Sequence, residues 1–490
     1  MIKSFFKDSA VYTFGTLITR GIQIIMVPIY TRLLTPSDYG IMDLFIITGN
    51  FANVIVALEI GQGFARYYAD APTQKDKQEY SSTSFWFVLF MYCLFLVIAF
   101  LIANKFNKII IGGNGTSLII FHVAMLSIWG SGIYNYLRNQ LRWYLKSKYF
   151  AVTSIIFTLV AYTITIILMM VFKSGIIGVF WGLTIGYLAG NFASWYFSKN
   201  NYRFLFNWKK FKEMVSFSLP LVPGSVGSIL LLYIDRIAIK DLMSLSDVGI
   251  FGVAYRFAAI VTLVMSGFQT ALIPLIYQNY KNIETPKEVS KIFNYFLVIL
   301  LFCIMGLSLF SHEILVIFTT PSYYKAAEII PIISFATLFL TLYIFTPGLS
   351  IAKKTKTSTA IYICSALLNT GLNFTLIPIW GIIGAGLSTL FSGIVLFFAN
   401  VYFSQKNFYI PYKWKKIIPA FISSAIIISS AILLEYFNIF NKDIMVLIKI
   451  VMLILTEWFI IRVIIGNQKF IVLVNEIKKI IIVKSQKVLK

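Results

Sequence analysis

The sequence is poor in charged residues and in the side chains that build catalytic or metal sites. Charged residues make up 12% of the 490 positions, whereas hydrophobic residues make up 59%. A water-soluble protein of this length needs more polar surface, so the composition excludes a soluble globule and indicates a polytopic membrane protein. The chain has only two histidines and three cysteines, and every cysteine lies in an apolar run. Neither a disulfide framework nor a metal site is therefore predicted.

Acidic residues are scarce as well, with 19 Asp and Glu against 42 Lys and Arg, for a net charge of +23. In a soluble protein this excess would suggest a nucleic-acid partner. Here the basic residues cluster in alternate loops, so nucleic acid is not predicted. With both termini placed in the cytoplasm, about three quarters of the Lys and Arg residues fall on the cytoplasmic side, as the positive-inside rule requires.

Motifs for catalysis are missing too. There is no G-x-x-x-x-G-K-[ST] loop for a nucleotide phosphate, no H-E-x-x-H or G-x-S-x-G motif, and no loop long enough for an outer catalytic domain. ATP hydrolysis by this chain and enzymatic activity in general are disfavoured, and no cofactor is predicted.

Apolar runs of about bilayer length follow one another along the chain. A helix needs roughly 20 apolar residues to cross about 30 Å of hydrocarbon, and the aromatic-rich, helix-length segments argue against a β-barrel. The sequence therefore predicts an all-α polytopic membrane protein with about fourteen transmembrane helices. They are expected at residues 9–33, 38–62, 82–104, 117–137, 150–172, 176–197, 214–238, 247–272, 292–311, 327–349, 359–378, 382–403, 417–436 and 444–465.

Two turns of nearly the same sequence indicate an internal duplication. Residues 35–41 read Thr-Pro-Ser-Asp-Tyr-Gly-Ile and residues 244–250 read Ser-Leu-Ser-Asp-Val-Gly-Ile, 209 positions further on. Each has the Ser/Thr and Asp spacing of a capping box at a helix start. The sequence Gly-Ile-Ile-Gly also occurs twice, at 175–178 and 381–384. Repeats along a chain indicate duplication, and six-helix copies share one orientation in the membrane.

The predicted organisation has four parts. Residues 1–208 and 209–408 form two parallel six-helix lobes around a central cavity, and residues 409–466 add two transmembrane helices. Residues 467–490 alternate apolar and basic positions, which predicts an amphipathic helix on the anionic lipids of the inner leaflet, with a disordered tail as the alternative.

Ionisable residues within the spans are functional candidates, because a charge in hydrocarbon costs several kcal/mol unless it is paired or hydrated. Arg20 lies about eleven residues into its helix, or roughly 16 Å deep at 1.5 Å per residue. Arg256 lies about nine residues into the eighth span. The repeat maps Arg256 one turn from Asp43 on the equivalent helix, so these two side chains are expected to face each other across the cleft.

Two further pairs allow either a structural or a functional interpretation. Asp235 and Arg236 are adjacent in the seventh span, while Glu59 and Arg66 are seven residues apart and share one face of the second. A structural ion pair is the alternative to a functional role for both.

Three segments carry a resemblance to a known family. Residues 33–40 after the first span, Arg-Tyr-Tyr at 66–68 and Tyr-Ile-Asp-Arg at 233–236, together with the six-plus-six-plus-two arrangement, resemble the Wzx-type polysaccharide flippases. That family belongs to the superfamily that includes lipid II flippases and MATE exporters. The resemblance implies two lobes that move a polyprenyl-diphosphate-linked oligosaccharide from the inner to the outer leaflet of the bacterial cytoplasmic membrane by alternating access.

The resemblance also implies roles for the candidates. Arg20 and Arg256 would contact the diphosphate, with Arg236 completing a cationic cavity, and coupling to H⁺ or Na⁺ would need an acidic residue. A polysaccharide polymerase and chain-length machinery would be partners in the membrane. The candidates for coupling or gating are Asp43, Glu59, Asp235 and Arg66.

Three alternatives stay open. A flippase for lipid II or a teichoic-type precursor has the same architecture. A MATE-like exporter of cations would place an unpaired acid where the first helix has Arg20, and it would usually lack the last two helices. A polymerase or ligase is disfavoured by the short outer loops and the repeat.

Overall fold

Helices form all the regular structure that the computed structural model describes, which covers residues 2–112, 118–437 and 439–466. These residues contain eighteen α-helices and four short 3-10 segments, with no strand among them. The predicted all-α polytopic fold class is confirmed. The predicted amphipathic helix at 467–490 lies outside the described residues.

The first eight helices form the N-terminal lobe. Small residues on α8 let it pack closely on α7; for example, a Cβ on Gly186 would overlap Ala161. The helices are α1 (Ile2–Leu33), α2 (Pro36–Ile55), α3 (Ile60–Asp70), α4 (Gln74–Leu101), α5 (Ala103–Ile111), α6 (Leu118–Trp143), α7 (Ser147–Met170) and α8 (Gly175–Ser198).

The remaining helices form a connector, the C-terminal lobe and an extra pair. The C-terminal lobe consists of α10 to α16. In order, the helices are α9 (Trp208–Ser218), α10 (Val222–Leu242), α11 (Leu245–Asn279), α12 (Thr285–Leu309), α13 (Ser311–Phe318), α14 (Ile330–Thr341), α15 (Gly348–Ile351), α16 (Thr355–Gln405), α17 (Trp414–Tyr436) and α18 (Lys442–Ile464).

Enough of these helices are long and apolar to cross a membrane many times. Eleven qualify, and the bent pair α2 and α3, at 44° to each other, gives a twelfth span. The 51-residue α16 is broken at Gly381, so it supplies two crossings. The 32-residue α1 is also long enough for a crossing, and counting it gives the predicted number of fourteen.

The duplicated turns start equivalent helices, α2 and α11. The Thr35 hydroxyl oxygen accepts the Asp38 N–H at 3.2 Å, and the Asp38 carboxylate accepts the Thr35 N–H at the same distance. At the second turn, the Ser244 oxygen accepts the Asp247 N–H at 3.1 Å. The hydroxyl cap therefore forms in both copies, whereas the complete capping box forms only at Thr35.

The Gly-Ile-Ile-Gly repeat marks a second turn that occurs in both halves of the chain. Gly175 and Gly381 have φ of 56° and 57°, in the left-handed region that glycine adopts without steric cost. Each ends one crossing and begins the next, so sequence copies give copies of the same helical hairpin.

The connector α9 packs on the N-terminal lobe, although the sequence assigns it to the second copy. Its Lys210 Nζ lies 2.6 Å from an Asp76 oxygen and 2.9 Å from a Glu79 oxygen of α4. The Tyr80 hydroxyl donates to Glu213 of α9 at 2.6 Å. The change of lobe along the chain thus falls at Leu219–Leu221, between α9 and α10.

The two lobes meet most closely where α2 crosses α11. We call the side with the α1–α2 and α10–α11 turns the outer side, after the predicted topology. A Cβ on Gly40 would overlap the Leu245 carbonyl oxygen, and a Cβ on Gly249 would overlap that of Pro36. Because only glycine allows such backbone contact, the glycine of each repeated turn closes the lobes together at the outer side.

The extra pair α17 and α18 is fixed to the C-terminal lobe by a buried cation. Lys449 of α18 lies 2.7 Å from a Glu313 oxygen of α13 and 2.5 Å from a Glu435 oxygen at the end of α17. A lysine within a span is costly unless paired, and here it holds three elements together.

Candidate functional site

Three arginines converge between the lobes. The Tyr233 side chain of α10 lies within electrostatic range of the guanidinium groups of Arg20, Arg236 and Arg256, and of the Asp43 carboxylate. These residues come from four helices, α1, α2, α10 and α11. The structure thus brings together four of the seven residues that the sequence selects.

Arg236 is fully engaged within the protein. Its Nε donates to Asp43 Oδ2 at 3.2 Å, and these side chains are 3% and 13% exposed. One terminal nitrogen donates to the Leu232 carbonyl at 2.9 Å, and the guanidinium lies 4.0 Å from the centroid of the Tyr255 ring. A buried ion pair with hydrogen bonds and an aromatic cover is a structural contact that joins the lobes.

This pairing differs from the one expected. Asp43 takes Arg236 as its hydrogen-bonded partner, while Arg256 is only within electrostatic range of it. Adjacent Asp235 and Arg236 do not pair, because successive residues of a helix point about 100° apart and meet different neighbours.

Arg256 remains available on α11. Its guanidinium lies 5.2 Å from the centroid of the Tyr39 ring. Its Nε is buried and has no hydrogen-bond partner among the described residues. A buried donor without a partner is costly, so the position favours a ligand that supplies an acceptor.

Arg20 is the most accessible of the three. Its side chain is partly exposed on α1, and it forms no ion pair within the part of the chain that the structure describes. Tyr233 is an electrostatic neighbour across the lobe boundary. Within the residues that the structure describes, Arg20 and Arg256 therefore lack the hydrogen-bonded carboxylate that Arg236 has in Asp43.

Asp235 lies in a separate buried site inside the C-terminal lobe. Its side chain is fully buried and accepts hydrogen bonds from Asn373 at 2.8 Å and Thr389 at 2.7 Å, both on α16. Asn373 also donates to the amide oxygen of Asn369 at 3.1 Å, and its own amide oxygen is buried without a partner in the described residues. A buried carboxylate that accepts two hydrogen bonds, close to an unpartnered amide oxygen, is a candidate site for a proton or a hard cation.

Glu59 and Arg66 lie away from both sites and from each other's charge. Glu59 has φ of 52° at the break between α2 and α3. Arg66 pairs with Asp70 at 3.4 Å, and both side chains are 61% exposed. The helix break removes the shared face that the seven-residue spacing predicts.

The charges of the arginine cluster define what it can bind. Three guanidinium groups stand against the carboxylate of Asp43, and the carboxylate of Asp235 is within electrostatic range of Arg236, so these residues keep a net positive charge in an apolar membrane interior. Guanidinium groups form bidentate hydrogen bonds with phosphate oxygens and stay charged at any physiological pH. The site therefore suits an anion with several oxygens, and it disfavours a cation.

Sequence reasoning missed the neutral residues of both sites. Asn369, Asn373 and Thr389 are more than a hundred positions from Asp235, and no local pattern marks them. Gly252 could have been found, because it is 209 positions after Asp43 and stands beside its carboxylate.

The two-lobed helical fold is that of the superfamily that includes lipid II flippases and MATE exporters. The chain aligns over 93% of its length with the structure of the lipid II flippase MurJ in an inward closed conformation, with a TM-score of 0.75, 16% identity and 98% of that chain covered. An inward-facing multidrug resistance MATE transporter aligns with a TM-score of 0.64 over 80% of this chain and 97% of its own, at 13% identity. These likenesses confirm the fold.

The chain belongs to the polysaccharide biosynthesis protein family, whose model matches residues 5–280. The MatE model matches residues 220–375. An uncharacterised membrane protein of Methanocaldococcus jannaschii is 24% identical over 81% of this chain and 97% of its own length. A protein of the Lsg locus of Haemophilus influenzae is 22% identical over 78% of this chain and 95% of its own. The superfamily that the sequence motifs indicate is confirmed.

Proposed function

We propose that this protein is a flippase that moves a polyprenyl-diphosphate-linked oligosaccharide from the inner to the outer leaflet of the bacterial cytoplasmic membrane, for the biosynthesis of a surface polysaccharide. The observation that carries the proposal is the pair of free arginines between the lobes, Arg20 and Arg256. A diphosphate and its sugars cannot cross hydrocarbon unaided, and two guanidinium groups can replace the water around it. The lipid tail can stay in the bilayer.

The way the lobes touch supports alternating access as the mechanism. Five of the hydrogen bonds between the α1–α5 region and the C-terminal lobe lie on the outer side, including that of Tyr323 Oη to the Leu34 carbonyl at 2.9 Å. In this state the cluster would be reached from the inner side. Rocking of the N-terminal lobe, together with α9, against the C-terminal lobe would open the α2–α11 contact and release the substrate outward. The packing of α9 on α4 favours a hinge at Leu219–Leu221.

Coupling to an ion would use the buried site around Asp235. The unpartnered amide oxygen of Asn373 and the carboxylate of Asp235 could hold Na⁺, and protonation of Asp235 could serve instead. Transport into vesicles driven by a Na⁺ gradient or by a H⁺ gradient distinguishes these ions. Asp235→Asn should remove the response to the gradient, and an unchanged response in this variant would remove Asp235 from the mechanism.

Both termini are expected in the cytoplasm. A reporter that is active only outside the cytoplasm, fused after Lys490, should be silent. Activity of this reporter would overturn the topology and the side from which substrate enters.

Complementation tests the function itself. The chain should restore surface polysaccharide in a host that lacks its own oligosaccharide flippase. Rescue of a lipid II flippase-depleted host instead would assign a lipid II-type substrate, and drug resistance without polysaccharide would assign a MATE-like exporter. Synthesis of longer glycans by the purified protein would indicate a polymerase.

A further inference from the structure

A basic cavity lies at the inner end of the bundle, apart from the arginine cluster and the Asp235 site. It has a volume of about 400 Å³, within the usual range for a small-ligand pocket. The start of α12, the loop between α16 and α17, and the end of α18 enclose it. All three segments lie on the side opposite the α10–α11 turn.

Lysines from two of these segments converge on the cavity. Lys287 and Lys291 are one turn apart on α12, and Lys413 comes from the loop. Lys287 forms an exposed ion pair with Glu284 at 3.1 Å. Lys291 and Lys413 form no ion pair with any described residue, and the cavity lining contains no acid. Two uncompensated cations in one concave site attract an anion.

The same cavity offers an acceptor for a hydroxyl group. The Asn294 amide oxygen is buried and has no hydrogen-bond partner among the described residues. The neighbouring Ser290 is already used, since its hydroxyl donates to the Pro411 carbonyl at 2.7 Å. A ligand with both a phosphate and a hydroxyl would satisfy Asn294 as well as the lysines.

The face of α12 that leaves the cavity is apolar and points outward. Tyr295 lines the cavity, and Ile299 and Phe302 follow on the same face at helical spacing, with exposures of 48% and 49%. In a membrane this stripe contacts acyl chains, which a soluble anion lacks. The site thus has the two-part character of a lipid.

We propose that this cavity binds an anionic phospholipid of the inner leaflet with a hydroxyl-bearing headgroup. The phosphate would lie between Lys291 and Lys413, a headgroup hydroxyl would donate to Asn294, and the acyl chains would follow Ile299 and Phe302. Basic pockets between transmembrane helices on the cytoplasmic side bind such headgroups. The lipid would join the C-terminal lobe to α18 at its inner end, where Lys449 is too distant along the helix to do so.

The test is lipid binding by the purified full-length protein in a neutral detergent. Native mass spectrometry would follow titration with phosphatidylglycerol, with phosphatidylcholine as the zwitterionic reference. Lys291→Gln combined with Lys413→Gln should weaken phosphatidylglycerol binding roughly 30-fold, from about fivefold per lysine. The matched control is Lys406→Gln, because Lys406 lies on the same side but over the Tyr402 ring, outside the cavity.

Other variants keep the test decisive. If the double Gln protein does not elute as a single species, Lys291→Arg with Lys413→Arg should retain binding, and Asn294→Leu should lower the preference for phosphatidylglycerol over phosphatidic acid. Equal lipid binding by wild type and the double Gln variant would overturn the proposal. Binding of inorganic phosphate as tight as that of phosphatidylglycerol would also overturn the proposal, in favour of a free-anion site. Binding is measured without transport, so its failure is distinct from failure of the proposed flippase activity.

Discussion

Helices α2 and α11 are copies of one another, yet they bring opposite charges to the lobe interface. Their glycines, Gly40 and Gly249, are equivalent and touch the partner backbone in the same way. One turn further in, Asp43 of α2 corresponds to Gly252 of α11. Two turns in, Ile47 corresponds to Arg256. The two copies thus share the glycine contact between their backbones and differ in the charged side chains that they place at the interface.

The missing side chain at Gly252 makes room for the acid of the other copy. A Cβ there would stand 3.1 Å from Asp43 Oδ2, close enough to disturb its pairing with Arg236. Asp43 and Arg236 then hold the outer side closed, while Arg256 stays free for an anion. An asymmetric pair of helices thus separates locking from binding, which two identical helices could not do.

Removing the Asp43–Arg236 ion pair should have the largest effect. Asp43→Asn leaves the buried Arg236 without its counter-charge, which costs about 3 to 5 kcal/mol and destabilises the outer-closed state. Crosslinking between Ser37→Cys and Ser246→Cys, in a chain without its native cysteines, should fall, and export should be lost. Asp70→Asn is the control, because Asp70 forms only an exposed pair. Unchanged crosslinking in Asp43→Asn would show that this ion pair does not hold the outer side closed.

Removing one free arginine should come next. Arg256→Ala or Arg20→Ala loses a desolvated, charge-assisted contact of roughly 1.5 to 3 kcal/mol, or about 10- to 150-fold in affinity. Lys at either position should restore export only in part, because it keeps the charge and loses the planar fork. The readout is surface polysaccharide per membrane-inserted protein. Full rescue by Lys would argue that charge alone is sufficient.

Filling the glycine crossing should have a smaller effect. Gly40→Ala forces the α2 and α11 backbones apart at a cost of about 1 to 3 kcal/mol. Crosslinking between positions 37 and 246 should be slower, and the arginine cluster should become less accessible from the inner side. Gly306→Ala is the matched control, since a Cβ at Gly306 meets nothing within 4 Å. Equal behaviour of the two variants would argue against backbone contact as the closure.

Arg66→Ala should change least. The Arg66–Asp70 pair is exposed, and such pairs contribute about 0 to 1 kcal/mol. Export and thermal stability should stay near wild type. A loss of export with normal insertion would restore Arg66 as a gating residue.

The helices and turns of this protein can be predicted from its sequence because short-range patterns determine them. Capping at Thr35 and Ser244 and the glycine turns at 175 and 381 involve residues a few positions apart, and the structure has them in both copies. The apolar runs likewise give the spans. Their ends are set by local chemistry that a single sequence displays.

Pairing between spans could not be predicted in the same way. Whether Asp43 pairs with Arg236 or Arg256 depends on the rotation of α2, α10 and α11, since both arginines are within electrostatic range of its carboxylate. The buried surroundings of Asp235 depend on α16, which lies more than a hundred residues away. The break at Glu59 turns α3, so that Glu59 and Arg66 do not share a helix face. No proline or glycine at position 59 signals this break in the sequence.

The double variant Arg20→Ala with Arg256→Ala tests the central claim most directly. The protein, purified in detergent, would be titrated with a polyprenyl diphosphate, and the same variant would be expressed in the flippase-deficient host. We expect no measurable diphosphate binding and no surface polysaccharide, with membrane-inserted protein at the wild-type level. Near-normal binding and export would contradict the anionic-substrate assignment and favour a MATE-like exporter.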